Sequence, residues 1–159
     1  MTKLHHYTAT ISWKGNQGRG TLDYKSYSRE HDITIKGKPP IPGSSDPSFR
    51  GDRSRYSPED TLVSSLSACH MLWYLHLCAV NGVIVVGYID HALGEMKEND
   101  DGSGQFTKVM LHPRVTVSDQ KMVEKAKALH ADANSMCFIA RSVNFPVHHV
   151  PEILCYESA

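Results

Sequence analysis

YSPEDTLVSSLSACHMLWYLHLCAVNGV, residues 56–83, carries the strongest helix signal in the sequence. Ser57 is a good N-cap residue and Pro58 fits the first helical position. Apolar residues recur every three or four positions around most of the helix circumference, and Gly82 supplies a left-handed stop. The pattern predicts a helix over 58–80 that is buried as the central element of the fold.

Short strands and turns surround this helix on both sides. Before it, alternating polarity and a glycine-rich turn predict a hairpin, a third strand and a long loop rich in proline and arginine. After it, two long strands joined by a turn precede two helical segments and one or two closing strands. The predicted strands are 7–13, 21–27, 32–36, 83–96, 105–117 and 144–157, the loop is 38–56, and the later helical segments are 122–133, capped by Ser118, and 134–143. Because the elements do not alternate as βαβ units, we expect a single α+β domain over 1–159.

The composition indicates a globular chain without charge bias. Of 159 residues, 40% are apolar, and 17 Lys plus Arg balance 17 Asp plus Glu. No basic stripe is present to bind phosphates, so we expect no nucleic-acid partner. The N-terminal stretch lacks the apolar run of a signal peptide, and apolar runs are interrupted before the roughly 20 residues that a bilayer requires. We therefore expect a cytoplasmic protein with no membrane partner.

Four cysteines raise the question of thiol chemistry, and two of them differ from ordinary packing residues. A buried cysteine usually packs as a small apolar side chain, which is our interpretation of Cys78 and Cys155. Cys69 follows the run of small residues SSLSA, which leaves room for a substrate beside the sulfur. Four cysteines are too few for a disulfide-rich secreted scaffold, so a cysteine pair here favours a chemical role over a structural one.

Cys137 is singled out by its expected place at a helix start. If Asn134 or Ser135 caps the segment 134–143, Cys137 lies in the first turn, where the helix dipole favours a thiolate. The two cysteines of the long helix are about 13 Å apart along its axis, too far for a disulfide. A pair between Cys69 and Cys137, or one that involves Cys155, remains possible.

A metal site is the alternative chemistry that ten histidines suggest. Adjacent residues, however, point about 100° apart on a helix and to opposite faces on a strand. No C-x2-C, H-E-x-x-H, flavin or nicotinamide motif occurs. The closely spaced candidates are Cys69-His70, His76-x-Cys78 and His148-His149. We predict no metal and no cofactor.

The quoted stretch resembles the central cysteine helix of the OsmC/Ohr family, the osmotically inducible and organic hydroperoxide resistance proteins. The shared pattern is a Pro-Glu pair, a stretch of small and apolar residues, Ala-Cys within a long apolar helix, and a second cysteine in a later helix. The resemblance implies an OsmC-like fold, with antiparallel sheets packed around a long central helix in an intertwined homodimer. It also implies that Cys69 is the peroxidatic cysteine and that Cys137 resolves it as a disulfide, which a small or protein-bound dithiol then reduces.

The resemblance further assigns roles to Arg19, in the first hairpin, and to Glu59 of the Pro-Glu pair. A guanidinium beside a cysteine favours the thiolate, and a carboxylate can hold that guanidinium in place. The cations of the loop, Arg50, Arg53 and Arg55, are alternatives to Arg19.

Glu59 and Cys69 are ten residues apart, about 15 Å along an unbroken helix. Either the helix breaks, or the arginine-glutamate pair serves a cysteine of another subunit. The leading hypothesis is a dithiol-dependent peroxidase that reduces organic hydroperoxides, and the alternative is a non-catalytic or stress-related binding protein of the same fold. A preference for hydrophobic peroxides is expected from the apolar residues near the two cysteines, Leu66, Met71, Leu72, Trp73, Met136, Phe138 and Ile139.

Overall fold

The computed structural model describes residues 2–156, which divide into two compact units, the first ending at residue 61 and the second beginning at residue 62. Residue 1 and residues 157–159, which include the final position of the last predicted strand, lie outside the described part. Each unit contains its own β-sheet structure, and the first long helix, α1 (Pro58–Val80), begins in the first unit and continues into the second.

The first unit is built on a three-stranded antiparallel sheet. Its strands are β1 (Thr10–Trp13), β2 (His31–Thr34) and β3 (Ile41–Gly43), in that order. Ile11 of β1 lies opposite Ile33 of β2. β1 and β2 are the first and third predicted strands, each shorter than expected, and β3 lies inside the segment predicted as a loop.

Residues 21–27 do not form the predicted second strand. They form turns, and Tyr27 makes a single bridge to Asn16. The Arg29 guanidinium lies 4.3 Å and 4.2 Å from the ring centroids of Tyr24 and Tyr27 and donates hydrogen bonds to the carbonyl oxygens of both residues. These bonds occupy acceptors that a strand ladder would need, which is one reason why β1 pairs with β2 instead.

α1 has the bounds that its sequence predicts. The Ser57 hydroxyl accepts a hydrogen bond from the Asp60 amide at 3.1 Å, and the Asp60 carboxylate accepts one from the Ser57 amide at 2.9 Å. This reciprocal capping satisfies amide groups that the helix itself leaves free. At the other end Gly82 has a φ of 74°, the left-handed conformation that favours glycine.

α1 is long and apolar enough, by length and composition alone, to cross a bilayer. Ser65, Ser67 and His70 interrupt its apolar runs, as expected from the sequence, so the helix meets the criterion by its average hydropathy and not by an unbroken apolar stretch. Core helices of water-soluble proteins meet the same criterion. In α1 the residues Leu66, His70, Tyr74 and Cys78 are buried at intervals of one turn, as a helix packed along one stripe requires.

Two three-stranded sheets make up much of the second unit. The first contains β4 (Val85–Asp90), β7 (Pro113–Val117) and β9 (Glu152–Cys155), and the second contains β5 (Leu93–Glu98), β6 (Gly104–Leu111) and β8 (Val147–His149). β4 pairs with β7 and β5 with β6 in antiparallel fashion, while β8 and β9 join in parallel. The α+β class is confirmed, with mixed sheets in this unit.

Each of the two long predicted strands is divided between these sheets. Residues 83–96 become β4 and β5, and residues 105–117 become β6 and β7, so the predicted pairing is right and the predicted continuity is wrong. Asp90 marks the break. Its carboxylate accepts hydrogen bonds from the His112 amide at 2.7 Å and from the Ser67 hydroxyl at 2.5 Å, which joins both corners of the chain to α1.

The second long helix, α2, spans Val123–Met136 and is reached through one 3-10 turn. Asp119 caps that turn in place of the predicted Ser118, its carboxylate accepting a backbone hydrogen bond at 2.9 Å. α2 extends past its predicted end, and within 134–143 only Ala140–Ser142 forms a further 3-10 turn. One core of the second unit joins α1, α2 and the β4-β7-β9 sheet through Tyr74, Cys78, Val83, Val115, Val117, Ala126, Leu129 and Ala133.

Candidate active site

Two of the four cysteines are in contact within the second unit. Cys69 projects from the middle of α1 and Cys137 lies at the C-terminal cap of α2, and the two thiols are close enough for Cys69 to affect the ionisation of Cys137. Both are free thiols; Cys137 is 1% exposed, whereas Cys69 is partly exposed. The structure thus brings together the two cysteines that the sequence singled out, and solvent reaches Cys69 more readily than its neighbour.

Cys137 lies at the opposite end of a helix from the one predicted. Its amide donates to the Asn134 carbonyl at 3.4 Å, so it closes α2 and gains nothing from a helix N-terminus. Burial first, and then the neighbouring Cys69 thiol, raise the pKa of Cys137 to about 11, although the Ala140 amide donates a hydrogen bond to its sulfur at 3.4 Å. At neutral pH Cys137 is therefore a protonated thiol.

The other two cysteines have separate surroundings. Cys78 is 1% exposed in the core beside Tyr74, and burial raises its pKa, which agrees with a packing role. The Cys155 thiol, at the end of β9, donates to the Tyr156 carbonyl at 3.7 Å.

An apolar surface extends along α1 beyond Cys69. Leu72, Trp73 and His76 line an open cavity of about 280 Å³. Trp73 packs edge-on against Phe138, with ring centroids 5.5 Å apart, and Phe138 is 68% exposed. An apolar group bound at this surface would lie within two helical turns of the accessible thiol.

Part of the expected apolar pocket lies elsewhere. Leu66 is buried with Val109 and Leu111 in a second core cluster, and Ile139 packs against that cluster. Leu66 and Ile139 therefore support the fold. Met136, which directly precedes Cys137, remains 44% exposed.

A cluster of three histidines, His70, His130 and His149, was not anticipated. His70 Nε2 and His130 Nδ1 are 2.9 Å apart, and the ring of His149 lies 5.6 Å and 6.1 Å from theirs. Tyr74 stacks on His130 with ring centroids 3.9 Å apart. One feature of the sequence could have indicated the cluster. His70 occupies the same buried stripe of α1 as Leu66 and Tyr74, and a polar side chain buried there needs a hydrogen-bond partner.

His70 and His130 are neutral at ordinary pH. Burial, with a smaller effect from His149, lowers the pKa of His70 to about 4 against the opposing influence of Asp90. Burial and the two neighbouring imidazoles lower the pKa of His130 to about 3. Within residues 2–156 no group of three His, Cys, Asp or Glu side chains is arranged to hold a metal ion.

Arg19 and Glu59 both belong to the first unit. Arg19 is exposed in a turn. The side-chain oxygen of Asn16 holds this turn by accepting hydrogen bonds from the amides of Gly18 and Gly20 at 3.0 Å each. Glu59 lies in the first turn of α1, and its Oε2 is buried without a hydrogen-bond partner among the described residues. Within the described part of this unit, no ion pair joins Arg19 to Glu59.

The alternative arginines differ in how firmly they are held. Arg55 forms ion pairs with Glu30, Asp32 and Asp52 at 3.6, 3.9 and 3.9 Å. Arg50 has a φ of 63° and its guanidinium lies 5.9 Å from the centroid of a tyrosine ring. The Arg55 guanidinium is thus held in ion pairs with neighbouring carboxylates, whereas the Arg19 side chain is exposed.

The OsmC-like protein family model matches residues 51–151. This chain belongs to the OsmC-like family. The resemblance noted in the cysteine helix is therefore confirmed, and the matched range contains Glu59, Cys69 and Cys137 but not Arg19.

Solved structures of OsmC-like proteins share the fold. An OsmC-like protein of unknown function from Vibrio cholerae is 30% identical, with a TM-score of 0.84 over 93% of this chain and 99% of that chain. An OsmC-like protein from Mycoplasma pneumoniae is 14% identical, with a TM-score of 0.70 over 94% of this chain and 98% of that chain. An organic hydroperoxide resistance protein from Elizabethkingia anophelis is 14% identical, with a TM-score of 0.70 over 98% and 100% of the two chains. No curated protein matches the sequence.

Proposed function

We propose that this OsmC-like protein is a cysteine-based peroxidase that reduces organic hydroperoxides at the expense of a dithiol. The observation that carries the proposal is the proximity of a partly exposed thiol, Cys69, to a buried thiol, Cys137. Two neighbouring free thiols can lose two electrons and two protons to form a disulfide, and an external dithiol can return them by thiol–disulfide exchange.

The chemistry balances in three steps. The Cys69 thiolate attacks the distal oxygen of ROOH, the O–O bond breaks, and the products are the Cys69 sulfenic acid and, after proton uptake, ROH. The Cys137 thiol condenses with that sulfenic acid, which forms the S–S bond and releases water. An external dithiol then reduces the disulfide by two exchanges and leaves as its own disulfide.

The apolar surface along α1 supports an organic peroxide as substrate. Trp73 and Phe138 offer aromatic contact within reach of a group bound at Cys69. Each CH2 of a substrate removed from water contributes roughly 0.8 kcal/mol, which hydrogen peroxide cannot gain. A structural relative from Elizabethkingia anophelis carries the name organic hydroperoxide resistance protein, and its fold is shared.

A homodimer would complete the site. Few residues of α1 are buried within a single chain, which leaves exposed apolar side chains such as Leu72 and Val80 for a partner to cover. Because α1 is unbroken, of the two alternatives raised by the spacing we propose the second, in which Arg19 and Glu59 serve Cys69 of the partner subunit. We further propose that residues 1–159 act as one OsmC-like domain, in the reducing cytoplasm, where a dithiol donor is available.

The alternative function is a non-catalytic, stress-related binding protein. The buried, protonated state of Cys137 is the specific observation in its favour, because buried structural thiols are inert. Peroxide consumption decides between the two functions.

The experiment follows cumene hydroperoxide in the presence of dihydrolipoamide. We expect consumption that stops in Cys69→Ser, together with a Cys69–Cys137 disulfide detected by mass mapping after peroxide treatment. Cys78→Ser, which changes another cysteine of α1, serves as the matched control and should remain active. A wild-type protein that consumes no peroxide and forms no such disulfide would establish the binding alternative.

A further inference from the structure

A buried hydrogen bond joins α1 and α2 close to both cysteines. The His70 and His130 rings are inclined by only 7°, with centroids 5.2 Å apart and the nitrogens 2.9 Å apart. These values describe two nearly coplanar rings placed end to end, the arrangement of a direct N–H···N bond. His70 follows Cys69 in α1, and His130 lies two turns before Cys137 on the same face of α2, about 10.5 Å along its axis.

Burying this hydrogen bond costs more desolvation free energy than packing the two helices through apolar side chains. The two neutral rings share one N–H, so His70 Nδ1 and His130 Nε2 remain buried with no hydrogen-bond partner among the described residues. Apolar side chains of similar volume would avoid that desolvation cost. A directional bond does what apolar contact cannot: it fixes one axial register of the helices.

We propose that His70 and His130 are positioning residues that hold the Cys137 thiol within disulfide-forming reach of Cys69. α2 is continuous from its start to residue 136, so a displacement at His130 is passed along the helix to the cysteine at its end. A disulfide requires a narrow range of Cβ separations, and an offset of about 1 Å is costly. The inference rests on the proposed Cys69–Cys137 disulfide but not on peroxide as the oxidant.

The test measures the equilibrium between the protein dithiol and oxidised dithiothreitol, which exchanges the disulfide without any peroxide. His70→Leu and His130→Leu remove the hydrogen bond, and each should lower the equilibrium constant for the Cys69–Cys137 disulfide at least tenfold. Gln places an amide where His70 has Nε2, and Asn places one where His130 has Nδ1. His70→Gln and His130→Asn should therefore stay within about threefold of the wild type.

Tyr74→Phe is the matched control. It removes a different hydrogen bond of the same interface, from the Tyr74 hydroxyl to the Ala126 carbonyl at 3.1 Å, while the stack on His130 is kept. The disulfide equilibrium of this variant should remain near that of the wild type. Leucine variants that form the disulfide as readily as the wild type, or amide variants that lose it as the leucine variants do, would overturn the proposal.

A measurement on the wild type covers the case in which a leucine variant does not fold. Coupling is reciprocal, so a hydrogen bond that favours the disulfide is itself favoured by the disulfide. The ring resonances of His70 and His130 should titrate at lower pH in protein oxidised with diamide than in reduced protein. The groups that face the pair are His149 on β8, Asp90 at the end of β4 and Tyr74 on α1, and none of them changes charge on oxidation. Identical titrations in the two states would contradict the inference.

These arms separate the two proposals. If the protein does not react with peroxide but forms a histidine-dependent disulfide with diamide, the positioning role is supported and the peroxidase function is contradicted. If His70→Leu and His130→Leu consume peroxide and have the disulfide equilibrium of the wild type, the peroxidase function is supported and the positioning role is contradicted.

Discussion

The Cys69 thiol lies beside the Cys137 thiol, and of the two only Cys69 is open to solvent. A peroxide arriving from water meets Cys69 first. The opposite order, in which Cys137 attacks, depended on a helix N-terminus that Cys137 does not occupy, and burial raises its pKa to about 11. The geometry therefore favours Cys69 as the attacking group and Cys137 as the resolving group.

Cys137→Ser should separate these two roles. The variant should react once with an alkyl hydroperoxide and retain a sulfenic acid at Cys69, because no second thiol is available to expel water from it. Trapping with dimedone and mass mapping measures that species. Cys69→Ser should give no adduct at all, and a dimedone adduct on Cys137 in that variant would reverse the assignment.

Phe138→Ala should lower the rate for large substrates selectively. Phe138 is exposed and touches Trp73, so its removal takes away apolar contact without opening the core. We expect the wild type to react faster with cumene hydroperoxide than with hydrogen peroxide, and the variant to lose about tenfold with the former, the equivalent of about 1.4 kcal/mol of lost contact. Stopped-flow single-turnover rates measure both substrates. An equal loss for both would show that Phe138 acts on the thiol and not on the substrate.

Arg19→Ala should slow the single-turnover reaction with peroxide and leave folding intact. Its guanidinium is exposed and forms no ion pair among the described residues, so little stability depends on it. We expect at least a tenfold slower reaction because the thiolate and the departing alkoxide lose a cation. Lys36→Ala, which removes another exposed cation of the first unit, is the control. An Arg19 variant as fast as the wild type would transfer the role to Arg50, Arg53 or Arg55.

The sequence predicted α1 to the residue because all its determinants are local. Ser57 and Asp60 lie within one turn of each other, and Gly82 stops the helix without help from other elements. The pairing of the two long strands was also predictable, since alternation and a turn-rich segment define a hairpin. Their division into four strands was not, because Asp90 produces it through bonds to Ser67 and His112, both more than twenty positions away.

The candidate site shows the same limit. Cys69 and Cys137 could be selected from composition and resemblance, but the contact between them depends on how α1 packs against α2. The error in the predicted end of α2 had a local cause. Asn134 and Ser135 have side chains that often cap a helix start, yet α2 continues through both. The histidine cluster was missed because its members come from α1, α2 and β8, and no short spacing reports such a cluster.

Asp90→Ala should destabilise the second unit by about 2 kcal/mol, because the His112 amide and the Ser67 hydroxyl lose their acceptor. Asp90→Asn keeps one carbonyl oxygen and should lose roughly half of that amount. Urea unfolding followed by circular dichroism measures both. Asp100→Ala, in the exposed turn between β5 and β6, is the control and should stay within about 0.5 kcal/mol of the wild type. A loss confined to Asp100→Ala would contradict the role of Asp90 at the corner.

Acid should destabilise the protein through its buried histidines. In the unfolded chain a histidine has a pKa of about 6.5, whereas the folded structure lowers the pKa of His70 to about 4 and that of His130 to about 3. Below about pH 6.5 the unfolded state binds protons that the folded state refuses, so the free energy of unfolding falls by up to about 1.4 kcal/mol per pH unit for each histidine. This contribution is fully present above neutral pH and is lost progressively down to the folded pKa values.

His130→Asn isolates that effect from the carboxylates, which titrate in both proteins. The variant keeps an amide at the Nδ1 position but has one fewer buried group to protonate, so its free energy of unfolding should fall less steeply between about pH 6 and pH 4. Urea titrations at half-unit pH intervals give the two slopes, which should differ by up to about 1.4 kcal/mol per pH unit. His76→Asn changes a histidine that is exposed on α1, and its slope should match the wild type. Parallel curves for all three proteins would mean that His130 takes up its proton in the folded state as easily as in the unfolded chain, contrary to its burial between Tyr74 and His70.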